Sequence, residues 1–306
     1  MELSIIIINF NTKKITSDCL KSIVKMTKGI DYEIIVVDNA SKDGSVQMLE
    51  SLRKKIPNLK LINNRENKGF GPGNNQGLRI AKGNYILLLN TDTIIHDNVL
   101  SEITSWMDAN PDAGIVTCAL KNRDGSLQGT GGYFPTLTRV FSWMFFIEDI
   151  PLLDSLIKPF HPVHGQSPFY KGISFFQNKH QQDWITGAFM LMRSEVVKQV
   201  GYFDEDYFMY TEEVDYCYRT KKKEWKVWYL PTWSITHLGG ASSTSEFPIL
   251  SEYKGIKIFY KKHQKPWQYT LLRGFLKGGA LLRMIIFGVI KGKEVARIYA
   301  KAFQTA

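Results

Sequence analysis

Cysteine is scarce in this 306-residue chain: Cys19, Cys118 and Cys217 lie far apart and are odd in number. That count excludes a disulfide-stapled framework and a Cys-rich zinc cluster, and it suits reduced thiols in a cytoplasmic protein. No stretch of about 18 uncharged apolar residues occurs, so a membrane-spanning helix is not expected. The first strand signal begins at Leu3, so a signal peptide is not expected. Internal repeats and low-complexity segments are missing too. Glycine is absent after the first apolar run, which continues Asn9-Phe10-Asn11-Thr12. A sugar-1-phosphate nucleotidylyltransferase or an NAD-dependent dehydrogenase would place a Gly-rich loop there. Acidic residues nearly vanish from 254–301, where twelve Lys or Arg stand against Glu294 alone. That segment carries +11 against a net +10 for the chain, so the rest is close to neutral. A nucleic-acid-binding domain would distribute its charge otherwise, and no nucleic acid partner is expected.

What is present describes an α/β protein with 44% hydrophobic and 22% charged residues, enough for one large domain or a domain with an appendage. Residues 1–118 alternate strand and helix signals at βαβ spacing. Strands are expected at 3–9, 33–38, 59–63, 84–90 and 114–118, and helices at 13–27, 43–55, 73–82 and 97–109. Asp43 and Asp97 are candidate helix starts, and Asn122-Arg123-Asp124-Gly125 is a hairpin-like turn signal. Residues 136–182 are aromatic and Pro-punctuated, in the manner of an insertion over a site. Residues 187–193 read as a strand, 194–200 as a short helix, and 211–222 as a helix N-capped by Thr211 with Asp215 and Arg219 at ion-pair spacing. Lys226–Leu230 and Trp233–His237 read as two further strands.

Two carboxylates close buried-looking strands in the same way. Ile34–Val37 runs into Asp38, and Tyr85–Leu89 runs into Asn90-Thr91-Asp92. Unbroken Val/Ile/Leu runs suit central parallel strands, and ligands of such sheets bind beyond the strands' carboxyl ends. Asp38 and Asp92 are therefore expected side by side at one rim, contacting a base or sugar hydroxyl and a metal. Asp38 followed by Asn39-Ala40-Ser41 also suits a simple Asx-turn. Between them lies Asn67-Lys68-Gly69-Phe70-Gly71-Pro72-Gly73-Asn74, a turn whose backbone N–H groups could approach phosphate or equally form only a tight turn. Asn90 and Asp92 offer oxygen donors to a hard cation, Mg2+ or Mn2+, that would arrive largely with a diphosphate. Glu212-Glu213-Val214-Asp215 is either a first-turn acidic cap or the source of a general base. His237 at a strand end suits either a metal ligand or a loop hydrogen bond.

In this order the motifs resemble the family-2 inverting glycosyltransferases of GT-A fold, in particular their rhamnosyltransferase-like branch of bacterial polysaccharide assembly. The matching stretches are Ser4–Asn11, Val37–Ser41, Asn67–Gly71 with Asn74, and Leu88–Thr93. Thr186–Ala188, Val200–Glu205, Tyr210–Asp215 with Arg219, and His237 with Ser242 complete them. The resemblance implies a mostly parallel nucleotide-binding sheet with helices on both faces. It places Asn9 and Asn11 at the base pocket and Asp38 on base or ribose. Asn67, Gly69 and Asn74 fall beside the nucleotide, and Asn90 and Asp92 at the metal-binding D-x-D position. It makes Glu213 the catalytic base with Glu212 its neighbour, His237 a metal or diphosphate contact, and Trp184 with Gly187 part of the acceptor site. Asn90 departs from the first acid of D-x-D, which touches metal affinity. Glu213 departs from the usual Asp by one methylene.

The activity implied is transfer of a sugar with inversion, L-rhamnose from dTDP-L-rhamnose first and a UDP-sugar next, to a polyprenyl-diphosphate-linked glycan. A non-catalytic nucleotide- or glycan-binding protein is the rival class. Residues 1–245 would form the transferase domain (1–118 nucleotide half, 119–245 acceptor half), and 246–306 a basic helical tail. From Trp267 onward, Trp267, Leu271, Phe275, Leu282, Ile286 and Val289 approach one helical face, with Gly278-Gly279 and Gly288 expected to break the helix. Such a segment suits either an anionic membrane surface, the inner face of a bacterial plasma membrane, or a cover for the domain. A homo-oligomer is compatible with all of this.

Overall fold

A computed structural model describes residues 1–150, 157–162, 173–239 and 246–306. Ser242, one of the matching positions, lies outside the described residues. The β-branched runs form a nine-stranded mixed sheet. Its strands are β1 (Leu3–Asn9), β2 (Tyr32–Asp38), β3 (Leu59–Asn63), β4 (Tyr85–Leu89), β5 (Thr93–Ile94) and β6 (Ala113–Lys121). A two-residue strand, β7 (Gly131–Gly132), stands apart and pairs β9 (Trp184–Ile185). β8 (His180–Gln181), β10 (Phe189–Arg193) and β11 (Lys226–His237) complete the large sheet. The order is β3-β2-β1-β4-β10-β6-β11-β5, with β8 on β11. β1 to β4 run parallel, and β10 is antiparallel to both β4 and β6.

Alternation along each strand feeds two cores. Ile5, Ile7, Leu87 and Leu89 point to one face, and Ile6, Ile86 and Leu88 to the other. The first face is covered by α1 (Lys13–Met26), α2 (Ser45–Arg53) and later α4 (Val99–Asp108). The second takes α3 (Phe70–Ile80), α5 (Leu137–Met144), α6 (Ser194–Val200), α7 (Glu212–Lys221), α8 (Glu246–His263), α9 (Pro266–Lys291) and α10 (Lys293–Thr305). All three cysteines are buried and free, and burial pushes the Cys19 and Cys217 thiols up to about 12.

Several expectations change. Asp38 and Asp92 are not neighbours, because β1 lies between β2 and β4. The Gly-rich segment is mostly helix: α3 begins at Phe70, three residues early, with Pro72 tolerated in its first turn. Thr211 does not cap α7 with its side chain; it sits at φ +74°. β11 is one strand across Pro231, its register slipping between Leu230 and Ser234.

The glycines of the tail do not break it. α9 runs unbroken through Gly278, Gly279 and Gly288, and the chain turns only at Gly292. A Cβ at Gly279 would lie 2.6 Å from that of Met144, so this glycine permits close crossing with α5. α9 buries Leu272, Leu276, Ala280, Arg283 and Phe287 against the domain. The opposite stripe of Trp267, Leu271, Leu281, Ile285 and Val289 is exposed. At 100° per residue those five fall within about 80° of arc.

Candidate active site

A cavity of about 740 Å³ opens beyond the carboxyl ends of β1 and β4 and meets the start of α7. Clefts at that end of an open α/β sheet are where ligands bind. Asn67, Gly69, Asn90, Asp92 and His237 line it, as do Glu212, Glu213, Trp184 and Gly187. The sheet brings these residues together from positions as far apart as Asn67 and His237.

On the rim beyond β4, His237 Nε2 lies 3.3 Å from Asp92 Oδ1 and 3.5 Å from Asn90 Nδ2. β11 delivers His237 by pairing with Thr93 of β5. Gln128 fixes the imidazole: its Nε2 donates to Asn122 Oδ1 (2.6 Å) and to the His237 carbonyl (2.7 Å), so its Oε1 must accept from Nδ1–H (2.7 Å). A neutral His237 then aims the Nε2 lone pair at the Asp92 carboxylate. Two acceptors face each other there, an arrangement that a proton or a cation relieves. An imidazole whose second nitrogen is held by an amide is the usual outer arrangement of a metal-ligating histidine. These donors fit a hard divalent cation. Among the described residues no third His, Cys, Asp or Glu joins them, so the remaining ligands would come from a bound diphosphate and water.

Asn9, Asn11, Asp38 and Asn74 lie outside the cavity wall. Asp38 is fully buried: its Oδ2 accepts from Asn9 Nδ2 at 2.6 Å and its Oδ1 from Ser41 N at 2.8 Å. Asn9 Oδ1 accepts from Thr12 and Thr16 hydroxyls, and Asn11 Oδ1 from Lys42 N. Asn74 Nδ2 donates to the Phe70 carbonyl. These hydrogen bonds tie the four residues to the loops around the rim; they do not line the cavity as it stands. Asn39, one residue past Asp38, reaches the cavity instead and donates to the Gly69 carbonyl at 3.0 Å.

The segment before α7 is conformationally costly. Tyr210 and Thr211 both hold positive φ, +71° and +74°, a region that residues other than glycine rarely adopt outside functional sites. The segment is pinned on one side, where Phe70 N donates to the Phe208 carbonyl at 2.8 Å. A Cβ at Gly69, φ +92°, would come within 2.2 Å of that oxygen, so only glycine fits. Glu212 and Glu213 follow, and each has one carboxylate oxygen buried without a hydrogen-bond partner among the described residues. Burial, then the neighbouring Glu213, pushes Glu212 well above the usual carboxylate range. Burial, helped by the charge of Glu252, pushes Glu213 up to about 7. A carboxyl group poised near neutrality with one oxygen free of protein donors is suited to take a proton from a substrate hydroxyl. Asp215 behaves oppositely. Burial would raise it, but His263 at 2.6 Å and Arg219 at 2.8 Å outweigh that and hold it low.

On the far side Trp184 is buried, its Nε1 donating to the Tyr133 carbonyl and its ring packed on Phe160 and His161. Gly187 faces Phe70, whose ring would lie 2.7 Å from an added Cβ. His161 and Glu252 also line the cavity, Nε2 to Oε1 at 2.5 Å. Sequence reasoning singled out neither of them, nor Gln128. His161 lies in the aromatic stretch read as an insertion over a site. Gln128 and Glu252 carried no local signal.

A cleft at this edge of the sheet, lined by a carboxylate–imidazole pair and by a glutamate with one buried oxygen left without a partner, fits a GT-A glycosyltransferase. Residues 4–201 match the Glycosyl transferase family 2 profile, and the chain belongs to that family. It is 25% identical over 264 residues to the N-acetylglucosaminyl-diphospho-decaprenol L-rhamnosyltransferase of Mycobacterium tuberculosis, covering 82% of this chain and 81% of that protein. It is 27% identical over 240 residues to the rhamnosyltransferase WbbL of Escherichia coli, covering 75% and 82%. Among solved structures, a Pyrobaculum calidifontis mannosyltransferase in complex with GDP-Man and Mn2+ superposes with a TM-score of 0.60 at 14% identity, over 99% of this chain and 85% of that one.

Proposed function

We propose that the chain transfers L-rhamnose from dTDP-L-rhamnose, with inversion, to a hydroxyl of a glycan carried on a polyprenyl diphosphate. The rhamnosyltransferases it resembles support the sugar, and the mycobacterial one supports the diphospho-lipid acceptor. The observation that carries the reading is Glu213, one carboxylate oxygen without a partner among the described residues and the group raised to about 7, in one cavity with the Asp92–His237 pair. Asp92 and His237 would hold Mg2+ or Mn2+, which when bound offsets charge on the departing diphosphate. Asn67 and Gly69 line the cavity on the nucleotide side, and the Phe208–Phe70 hydrogen bond joins that side to the catalytic segment. Glu213 takes the proton of the acceptor hydroxyl as that oxygen attacks the anomeric carbon from the face opposite the nucleotide.

Thermal melts in the presence of nucleotide sugars test this. dTDP-L-rhamnose with Mn2+ should raise the Tm more than any UDP- or GDP-sugar, because only bound ligand stabilises the native state. Asp92→Asn should remove the Mn2+-dependent part of the shift. A larger shift with a UDP-sugar would reassign the donor, and none with any nucleotide sugar would defeat the enzyme reading.

The exposed stripe of α9, flanked by Arg273, Lys277 and Lys291, would lie on an anionic inner-membrane surface near the lipid-linked acceptor. No helix among the described residues is long and apolar enough to cross a membrane. Deleting residues 267–306 would strip a core face along with the stripe. Leu281→Ser, Ile285→Ser and Val289→Ser together instead leave the buried face intact. This variant should partition about tenfold or more less onto anionic liposomes; unchanged partitioning would dismiss the membrane contact.

A further inference from the structure

α8 begins at Glu246, beyond the stretch matched to the family, yet it builds part of the cavity through Phe247, Pro248 and Glu252. One turn after Glu252, Gly255 abuts the strained loop: a Cβ there would lie 2.3 Å from Thr211 Oγ1 and 2.6 Å from Thr211 Cβ. Phe247 packs on Phe208 and Tyr210. The segment 208–213 is thus clamped between the Gly69–Phe70 turn on the donor side and α8 on the other. Glu252 Oε1 is engaged by His161 at 2.5 Å, and Oε2 has no hydrogen-bond partner among the described residues. His161 is itself seated on aromatic rings, 4.0 Å between centroids from Phe160 and 5.2 Å from Trp143. A carboxylate oxygen without a protein donor, in a cavity lined also by aromatic rings, is chemistry that recognises sugar hydroxyls.

We infer that Glu252 is an acceptor-positioning residue. Oε2 accepts a hydrogen bond from a hydroxyl of the acceptor sugar next to the one that reacts, and His161 holds the carboxylate in place. This rests on the transferase reading above and adds the C-terminal helix to the catalytic apparatus. The same proximity explains why the charge of Glu252 bears on Glu213.

The test uses the full chain, Mn2+ and dTDP, with a synthetic N-acetylglucosaminyl diphosphate carrying a short prenyl chain as the acceptor probe. Calorimetric titration of Glu252→Gln should show about tenfold weaker probe binding, the usual effect of losing a charge-assisted hydrogen bond. dTDP affinity and Tm should stay near wild type. In the transfer assay the loss should fall mainly on the acceptor KM, with kcat falling no more than about threefold. His161→Gln should move the same constant in the same direction. Probe binding within about twofold of wild type, or a fall in kcat with acceptor KM unchanged, would overturn the assignment. If the wild-type protein binds dTDP and Mn2+ but not the probe, the proposed acceptor falls, and this role for Glu252 falls with it.

Discussion

Glu213→Gln should abolish transfer, by about three orders of magnitude or more in kcat, while dTDP-sugar affinity stays near wild type. Positioned general bases contribute on the order of 10²–10⁴ in rate. An amide of the same shape keeps the packing and cannot take the proton. Stability separates this from damage. The folded group titrates at about 7 against an ordinary 4.5, so the native state binds this proton more tightly than the unfolded chain does. Wild type therefore loses stability as pH rises from about 4.5 through about 7. Glu213→Gln escapes that loss and should melt higher than wild type at pH 8. The kcat/KM of wild type should fall tenfold per unit below about pH 7, because only the carboxylate accepts a proton. An active Gln variant, or an acid limb centred near pH 4.5, would move the base elsewhere, with Glu212 the first alternative. The pairing of a higher Tm with lost activity is expected where a site stores strain for function.

The strands that position this site were legible because β-branched runs leave little choice of structure. Ile5–Ile8, Ile34–Val37 and Tyr85–Leu89 lie where periodicity put them, and the acids that follow mark their ends. Sheet order was not legible: nothing local says that β1 runs between β2 and β4, so Asp38 and Asp92 looked like partners. Burial separated them further, since Asn9 and the Ser41 amide occupy both oxygens of Asp38. The proposed catalytic segment was visible as a dense acidic stretch and as the matching stretch Tyr210–Asp215, but not in its conformation. Its backbone strain depends on contacts to Gly69 and Gly255, 142 and 44 residues away from Thr211 along the chain. Glu252 was hidden for the same reason. Its meaning comes from packing of α8 under Thr211, which no periodicity encodes.

Arg283 is the clearest case of a residue that only tertiary structure explains, and replacing it should unsettle the fold. It interrupts an apolar run, yet it is 6% exposed. The last carbonyls of a helix have no partner within it. Those of α5 find one here: Arg283 Nη2 donates to the Trp143 carbonyl at 2.6 Å, and Nη1 to the Met144 carbonyl. The guanidinium also lies 4.5 Å from the centroid of the Phe146 ring. A cation at a helix C-terminus is favoured by the dipole, and the planar fork can serve two carbonyls at once. Arg283→Met keeps the volume but leaves the Met144 carbonyl without its donor and the Trp143 carbonyl with only the long bond from Phe146 N at 3.5 Å, at a cost of about 3 kcal/mol. The Tm should fall by roughly 5 °C or more, while Arg273→Met on the exposed side of the same helix should change it little. The damage should also reach the site, because the last turn of α5 carries Trp143, whose ring packs on His161. The acceptor KM should therefore rise in Arg283→Met while dTDP affinity stays unchanged. A variant as stable as wild type would mean that water satisfies those carbonyls and that α9 is held by its apolar contacts alone.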